Sequence, residues 1–491
     1  MENLTMDNVH NEYQDREDDW LDMTYVIDGE RVMKSKGTRF VPKLDDQKDE
    51  EYFTYISRGS FYGATSRTVS GFTGAIMRKP PIIEVSERMN PFLQQSTQQG
   101  LTFDAVIRNT VYNLLAYGRY GIYCDYSQET KMPFLSEYDA LSILNWNTSI
   151  IDGQLKLTYL TLKETAYIPS NDALYSFEPV ERVRQLYLDE HGYLVTQLWE
   201  KKLIVLDSKT GSSEEAWVRV DVVPGKLTAY PNINGKRLNY IPFVCFGPNA
   251  NTMNVDKPPL LDLMFLNIAH WRTDVDYRSG LHYCALPTIY LLGFQEGKKI
   301  AVGPGKSIRN KDSNAKVGML EFTGQGMGAI SNEMENMERK MAVLGARLLE
   351  EQKKAAEAAE TLKIRTSGET ATLVDITQSI SQGMVKVLEY CSNWLMIKDQ
   401  QASVEMNSDF IDKSMSPQMI SELLKTLQAG EISQDTFLYS LKEGEVLPDN
   451  RTIEEEKELI ESDADTRFKE QEETILPDEE DVPEDILNEE E

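Results

Sequence analysis

Two stretches with helical periodicity, separated by a short insert, constrain the fold of this chain more than any other feature. Residues 258–284 carry apolar side chains at spacings of three and four, at Leu261, Met264, Ile268, Trp271 and Val275. Residues 330–349 repeat the pattern at Met334, Met337, Met341, Leu344 and Leu348. With a rise of ~1.5 Å per residue, these patterns predict amphipathic helices about 40 and 30 Å long. Such lengths are typical of struts that pack side by side in an assembly.

The composition indicates a folded protein that stays where it is made. The chain has 491 residues, 41% of them hydrophobic, which predicts roughly two to four structural units. It has no apolar run of about 18 residues, and its first residues are acidic and polar, so we expect neither a membrane span nor a signal peptide. Four cysteines, far apart and without a Cys-x-x-Cys pair, predict buried reduced thiols in a cytosolic compartment and no zinc site.

The net charge of -29 is concentrated near the carboxyl terminus. Residues 454–491 hold nineteen Asp or Glu and only three Lys or Arg, and we expect the chain after about Ser462 to be disordered. Such acidity argues against tight nucleic-acid binding, which needs Lys and Arg to displace counterions from phosphates. It is compatible with a protein past which DNA slides.

The remaining segments predict an α+β protein. Residues 1–47 have the charge of an arm with anchors at Tyr13, Trp20 and Phe40, and the patterns that follow predict helices at 52–70 and 101–115, a strand at 122–124 and an antiparallel sheet within 155–244. After the second strut, residues 365–370 are predicted to break a helix, and Thr370 to cap the next helix, 371–397. Helices capped by Ser416 and Ser433 predict a small bundle before the tail.

The residues that could carry catalysis do not form a recognised site. Gly305-Lys306-Ser307 resembles the end of a phosphate loop, but the position that needs the first glycine is Ile300. His270 and His282 are twelve residues apart on one helix, too far to share an ion. Asp262, Asp274 and Asp276 are interpreted as ordinary solvated charges on that helix. We therefore expect no enzyme activity, no metal and no cofactor.

The insert between the struts holds the one concentration of basic residues. Its members are Lys298, Lys299, Lys306, Arg309, Lys311 and Lys316, and Asp312 is the only acidic residue between the first and the last of them. The cluster is either a solvated turn region or a docking face for an acidic partner or a nucleic-acid backbone. The sequence leaves these alternatives open.

The order of these parts, and several short strings, resemble the portal proteins of tailed double-stranded DNA bacteriophages. The strings are Tyr52-x-x-Tyr55-x-x-Arg58, residues 68–74 (TVSGFTG) with 78–81 (RKPP), 117–122 (YGRYGI), 143–146 (ILNW) and 240–244 (YIPFV). Together they extend the resemblance from about Tyr52 to Ile460. The arm and the acidic tail are not covered.

The resemblance implies a portal-like division of the chain. After the arm (1–47) come an α/β wing (48–256), a first stem helix (257–284), a small β-containing clip (285–329) and a second stem helix (330–351). A tunnel loop or kink (352–370), a helix that returns across the wing (371–412), a helical crown (413–461) and the acidic tail (462–491) complete it.

It also implies a head-tail connector, a ring of about twelve identical copies at one capsid vertex. Such a homododecamer nucleates head assembly, docks the packaging motor (the large terminase subunit), and forms the channel for double-stranded DNA during packaging and ejection. The other implied partners are a head-tail adaptor and the major capsid and scaffolding proteins. The implied location is the virion, after assembly in the host cytoplasm, with no membrane partner.

Three groups of residues become candidates under this resemblance. The inter-subunit stem candidates are Leu261, Met264, Ile268, Trp271, Met337, Met341, Leu344 and Leu348. The channel-facing candidates are Lys353, Lys354, Arg365, Thr366, Ser367 and Glu369, although Lys353 and Lys354 are equally suited to pair with glutamates of their own helix. The six basic residues of the insert are the clip docking candidates. Two other classes remain open: a non-portal structural assembly or scaffold protein built on long helices, and an unrecognised enzyme.

Overall fold

The computed structural model describes most of the chain in two compact units, Met1–Phe410 and Ile411–Glu491. The described residues are 6, 8–169, 176–207, 212–285, 288–294, 308–309, 311–312, 314–320, 324, 326–346, 359–397, 401–407, 410, 415–444, 446–448 and 451–462. The side chains of 203–214, 288, 346 and 359–372 are outside this description. The unit Met1–Phe410 is a mixture of helices and sheets, as the sequence predicts.

Ten α-helices occur in the described part of the first unit. They are α1 (Asn11–Asp28), α2 (Glu30–Ser35), α3 (Gly37–Phe40), α4 (Asp49–Arg58), α5 (Ala64–Ile76), α6 (Asn90–Gln94), α7 (Phe103–Tyr117), α8 (Leu261–Ala285), α9 (Met327–Met341) and α10 (Ala359–Trp394). Short 3-10 turns occur at Glu87–Met89 and Ala140–Ser142. The prediction of one helix over 52–70 is wrong, because Gly59 and Gly63 bound a break between α4 and α5.

The largest sheet contains long antiparallel strands. It is built from β4 (Ile143–Ile151), β5 (Gln154–Pro169), β6 (Phe177–Leu188), β7 (Leu194–Asp207) and β8 (Ser212–Val220) in that spatial order, with β9 (Thr228–Ala229) paired to β7. A second sheet has the order β12 (Phe243–Phe246), β2 (Tyr120–Ser127), β3 (Met132–Asp139). The antiparallel sheet predicted for 155–244 is confirmed.

Three small strand pairs complete the first unit. They are β1 (Ile82–Glu84) with β15 (Ser403–Glu405), β10 (Asn232–Ile233) with β11 (Lys236–Arg237), and β13 (Thr288–Leu292) with β14 (Lys316–Leu320). The last pair confirms the small β element predicted between the struts.

The amino-terminal segment belongs to the core, so the prediction of an arm over 1–47 is wrong for α1 to α3. Trp20, Met23, Val26 and Met33 have no exposed surface, and Phe40 is 1% exposed. The Trp20 Nε1 donates a hydrogen bond to the carbonyl of Tyr117 at 3.0 Å. The acidic residues between these positions lie on the solvent side of α1. Their number made the segment resemble a charged arm, although its other side is apolar.

The break predicted at 365–370 is also wrong. The backbone is helical without interruption from Ala359 to Trp394. A single glycine such as Gly368 costs only about 1 kcal/mol inside a helix. The burial of Leu373, Ile376, Ile380 and Met384 along the same helix offsets that cost.

The second strut ends earlier than predicted. Helix α9 ends at Met341. A π-helical turn, Ala342–Ala346, follows it directly, and Gly345 within this turn has a non-helical backbone conformation. A Cβ on Gly345 would lie 2.6 Å from the Thr68 Cγ2 atom, so close packing against α5 requires glycine here.

The second unit is a small group of helices. It contains α11 (Pro417–Gln428), α12 (Gln434–Glu443) and a helical segment at 453–462. The Ser416 and Ser433 hydroxyls accept hydrogen bonds from the backbone N–H groups of Met419 and Thr436, which confirms both predicted caps. Leu438 and Leu441 are its buried core residues.

Candidate functional site

The candidate site is the unit formed by α8, the β13–β14 hairpin and α9. Three contacts show that the two helices run antiparallel. A Cβ built on Gly280 would lie 2.8 Å from the Met327 Sδ, and one built on Gly345 would lie 3.5 Å from Leu263 Cδ2. Between them, His270 Nε2 lies 3.2 Å from Glu338 Oε1. The hairpin therefore follows the end of α8 and precedes the start of α9, which lie side by side at the same end of the helix pair.

The apolar stripe of α8 packs inside its own subunit. Leu261, Met264, Ile268 and Trp271 are at most 5% exposed and belong to one core cluster with residues of α1, α4 and α5. Side chains that are already enclosed cannot contact a neighbouring copy. The prediction that these four residues form an inter-subunit seam is therefore wrong, although the helix itself is confirmed.

Residues of the second stripe divide between the core and the surface. Met341 is 1% exposed and packs in the same cluster, so it is also wrong as an inter-subunit candidate. Met337 is half-buried, whereas Leu344 is 45% exposed. Leu348 lies outside the described residues. Of the eight stem candidates, Leu344 alone is described as exposed.

Two polar residues, Asn267 and Asp274, attach α8 to the segment 60–65. The sequence pattern does not single out Asn267 and predicts that Asp274 is solvated. The Asn267 Oδ1 accepts hydrogen bonds from the Thr65 N–H at 3.1 Å and from its hydroxyl at 3.0 Å, and the Asn267 Nδ2 donates to the Tyr62 carbonyl at 2.6 Å. The Asp274 carboxylate accepts from the Ser60 N–H at 2.6 Å and from Arg278 Nε at 2.9 Å. The interpretation of Asp274 as a solvated charge is wrong.

Neighbouring carboxylates on α8 differ from Asp274. Asp262 is exposed and pairs with Lys257 at 2.8 Å. Asp276 accepts a hydrogen bond from the Tyr55 hydroxyl. Burial, with the Asp276 charge, raises the pKa of Tyr55 well above its ordinary value. These contacts are structural, and none places a carboxylate in a cleft.

His270 connects the two helices. Its ring is 4% exposed, lies near the Tyr62 ring and contacts Glu338, while its Nδ1 atom has no hydrogen-bond partner. His282 is half-buried near the end of α8. Within the described part of the chain, no group of three His, Cys, Asp or Glu side chains could hold a metal ion.

The hairpin exposes apolar residues on both faces. In its register Tyr290 lies opposite Gly318, and Leu291 opposite Val317. A Cβ on Gly318 would come within 2.4 Å of the Tyr290 ring, so this ring packs directly over the glycine. Five large apolar side chains are between 47% and 58% exposed: Tyr290, Leu292, Val317, Met319 and Leu320.

The basic clip candidates are partly described. Arg309, Lys311 and Lys316 are exposed. Lys298, Lys299 and Lys306 lie outside the described residues.

The channel-facing candidates are less fully described. Lys353 and Lys354 lie outside the described residues. Arg365, Thr366, Ser367 and Glu369 occupy the helical backbone of α10, and their side chains are not described.

A buried arginine in the first unit also escaped the sequence reasoning. Arg119 is 1% exposed, and its guanidinium lies 4.0 Å from the Trp146 ring, which also stacks on His10 at 3.9 Å. Its Nη1 donates to the Met253 carbonyl at 3.1 Å, while Nε and Nη2 have no partner. Burial lowers the pKa of Arg119. Two contacts attach the start of α1 nearby: His10 stacks on Trp146, and the Glu12 carboxylate accepts a hydrogen bond from the Val255 N–H at 2.8 Å.

Two expectations from composition can be compared with the structure. All four cysteines are free thiols; Cys124, Cys245 and Cys391 are buried, and Cys284 is half-buried. None of the helices in the described part of the chain has a stretch apolar enough to cross a bilayer.

Comparison with known proteins identifies one family model and several solved structures. A model described as a domain of unknown function, DUF4055, matches residues 259–395, which include α8, the hairpin, α9 and α10. No curated protein matches the chain.

Three of the solved structures come from gene transfer agent particles. A chain in the neck of an empty particle, computed with C6 symmetry, is 13% identical with a TM-score of 0.36. A chain from the virion of the native particle is 12% identical with a TM-score of 0.37, and one in the native neck, computed with C12 symmetry, is 9% identical with a TM-score of 0.30. Each comparison covers 84% of this chain and 97% of the other. Likeness at this level supports no conclusion about function.

Proposed function

We propose that this chain is the portal subunit of a tailed double-stranded DNA phage and that about twelve copies form a closed ring. The proposal combines the sequence resemblance with the antiparallel pair of helices joined by a β-hairpin. In such a ring the subunits would nucleate the head and conduct DNA during packaging and ejection. The role places the protein in the virion and asks for no catalytic residue in this chain.

The exposed apolar faces of the β13–β14 hairpin are the observation that carries the proposal. An isolated two-stranded hairpin is marginally stable in water, and its unpaired edges favour association. Here both faces carry large exposed side chains, including Leu292 and Met319 at 55% and 58% exposure. Contiguous exposed apolar surface of this kind is typical of an interaction site. Neighbouring subunits of a ring would cover it.

Particle shape and mass test this proposal. Purified protein should give rings with a central hole in negative-stain electron microscopy and the mass of about twelve copies by light scattering. Rods or sheets would indicate the scaffold alternative, and a compact monomer would favour an enzyme.

A hairpin variant separates the carrying observation from general surface effects. The double exchange Leu292→Asp and Met319→Asp should abolish the ring, because charged side chains are costly in a covered apolar contact. Ile150→Asp is the matched control, since Ile150 is 77% exposed at the β4–β5 turn. Circular dichroism should show the same helix and strand content for all three proteins. Intact rings of the double variant would remove the support that the hairpin gives.

Docking of the motor by the clip is the second part of the proposal. We expect Lys306→Glu, Arg309→Glu and Lys311→Glu together to leave the ring intact and to weaken binding of the large terminase subunit or the head-tail adaptor. Opposite charges accelerate encounter, so wild-type binding should also weaken as salt rises. A variant with Lys131→Glu, Lys340→Glu and Lys425→Glu, at three exposed positions outside the clip, controls for the same change in total charge. Normal packaging and tail joining by the triple variant would contradict the docking role.

A further inference from the structure

The two faces of the large sheet are buried to different degrees. On one face Tyr159, Gln185, Tyr187 and Gln197 are half-buried and border open space, although Val183 and Trp199 of the same face are buried. Residues that alternate along β5 and β6 place Leu160, Leu162 and Leu186 in the core with no exposed surface. The opposite face of β5 to β7 forms an open groove of about 550 Å³. The side chains along it that matter here are Tyr159, Gln185, Tyr187, Gln197, Trp199 and Arg219. Nothing in the proposed portal role uses this groove.

Hydrogen bonds hold the polar groups of the groove in fixed directions. The Trp199 Nε1 donates to Gln185 Oε1 at 3.0 Å, and Gln185 Nε2 donates to the Tyr159 hydroxyl at 3.4 Å. On the next pair of strands, Gln197 Nε2 donates to the Tyr187 hydroxyl at 3.4 Å. Both tyrosine hydroxyls accept these bonds and keep their own hydrogens for another acceptor. The groove thus offers aromatic rings beside oriented donors and amide groups.

Arginines lie against aromatic rings at the rim. Arg219 is opposite Trp199 in the strand register and lies 5.6 Å from its ring. Arg237 lies 4.5 Å from the Tyr230 ring and 6.0 Å from the Tyr193 ring. Tyr193 and Tyr230 are 38% and 46% exposed, so part of each ring is open to a ligand.

The groove lining is positively charged, whereas the chain as a whole is acidic. Among the described residues that line the groove, none is acidic and Arg219 is basic. Lys226 and Lys236 are exposed on the segment that carries Tyr230. Three loop carboxylates lie beside the basic residues in sequence: Asp189 accepts from the Tyr193 N–H at 2.9 Å, Asp221 accepts from the Gly225 N–H at 2.9 Å, and Glu190 is exposed.

We propose that this open sheet face binds single-stranded nucleic acid. Exposed bases stack on tyrosine rings, arginines contact phosphates, and amide and hydroxyl groups bond to base edges. A duplex hides the faces of its bases and could use only the rim charges. A neutral polysaccharide would suit the tyrosines and amides, but it would gain nothing from Arg219, Arg237 and the neighbouring lysines.

Fluorescence anisotropy with the full-length protein tests the proposal. The probe is a labelled oligothymidine of roughly 12 nucleotides, within the range of single-stranded binding sites, with a duplex of equal length measured in parallel. Tyr230→Ala should weaken single-strand binding by roughly 5- to 100-fold, the effect expected for loss of one stacking ring. Arg237→Ala should weaken it as well and reduce the salt dependence by about 0.7 in log–log slope.

Exposed residues elsewhere in the first unit provide matched controls. Tyr167→Ala removes a tyrosine that is 70% exposed near the tip of β5, and Arg339→Ala removes an arginine that is 75% exposed on α9. Both should bind like wild type, and thermal unfolding should be unchanged for all four variants. The measurement does not depend on ring formation, so failure of the portal proposal would leave it intact.

Three results would overturn the proposal. These are the absence of binding at low salt, equal affinity for duplex and single strand, and equal losses for the rim variants and their controls. A wild-type protein that binds a neutral oligosaccharide but no single strand, and that loses the oligosaccharide when the same rim residues are substituted, would assign the face to sugars instead.

Discussion

Replacing Asn267 by alanine should destabilise the first unit by about 3 to 5 kcal/mol. Asn267 has no exposed surface and makes three hydrogen bonds, two with Thr65 and one with the Tyr62 carbonyl. Each bond contributes about 1 kcal/mol net, and each buried partner left unsatisfied adds to the loss. The Asn267→Leu variant fills the same volume but also leaves the three partner groups unpaired. It should therefore be destabilised almost as strongly as the alanine variant.

Urea unfolding followed by tryptophan fluorescence measures this effect in the relevant unit. All six tryptophans of the chain lie within Met1–Phe410. Asn332→Ala, an exposed position on α9, is the control and should change stability by less than about 0.5 kcal/mol. A stability of Asn267→Leu within about 1 kcal/mol of wild type would refute the reasoning, because packing alone would then explain the site.

Three further predictions follow from burial and charge. Burial raises the pKa of Asp125, so ionisation of this side chain opposes folding. Asp125→Asn should therefore increase the free energy of unfolding near pH 7. This gain, measured by urea unfolding, should disappear as the pH falls to the ordinary pKa of Asp, about 3.9. Met341→Asp should destabilise the isolated subunit by several kcal/mol in thermal unfolding, whereas Leu344→Asp, at a 45% exposed position, should change it by less than about 1 kcal/mol. Truncation after Ser462 should leave the number of subunits in the proposed ring unchanged, as calculated from the light-scattering mass and the shorter chain, because the tail composition cannot bury enough apolar surface to form a core.

Periodicity predicted the helices better than it predicted their contacts. The first strut was expected at 258–284 and is found at Leu261–Ala285. Its apolar stripe indicated a buried face, but a spacing of three and four does not say whether the covering surface belongs to the same chain or to another. Here α1, α4 and α5 cover it, which required the amino-terminal segment to be part of the core.

The remaining errors have a common physical origin in local composition. Charge density concealed the apolar face of α1, and the run Thr366-Ser367-Gly368 suggested a break in α10 although packing further along the helix favours continuity. Asn267 and the open sheet face could not be identified from spacing, because each depends on residues brought together from distant parts of the chain. The alternation of Gln185 and Tyr187, and of Gln197 and Trp199, was the available signal for the sheet face.

The two residues that attach α8 to the segment 60–65, Asn267 and Asp274, also limit how α8 can turn about its own axis. Asn267 and Asp274 are seven residues apart, about two helical turns, and therefore lie on one side of the helix. Rotation of α8 about its axis would break both attachments together. The direction in which the hairpin leaves the end of α8 is therefore set by the contacts of α8 with the rest of the first unit. In a closed ring of about twelve copies, each subunit is turned by about 30° from the next, and angular errors add around the circle. A small segment near the start of α5 would thus control whether the last copy meets the first.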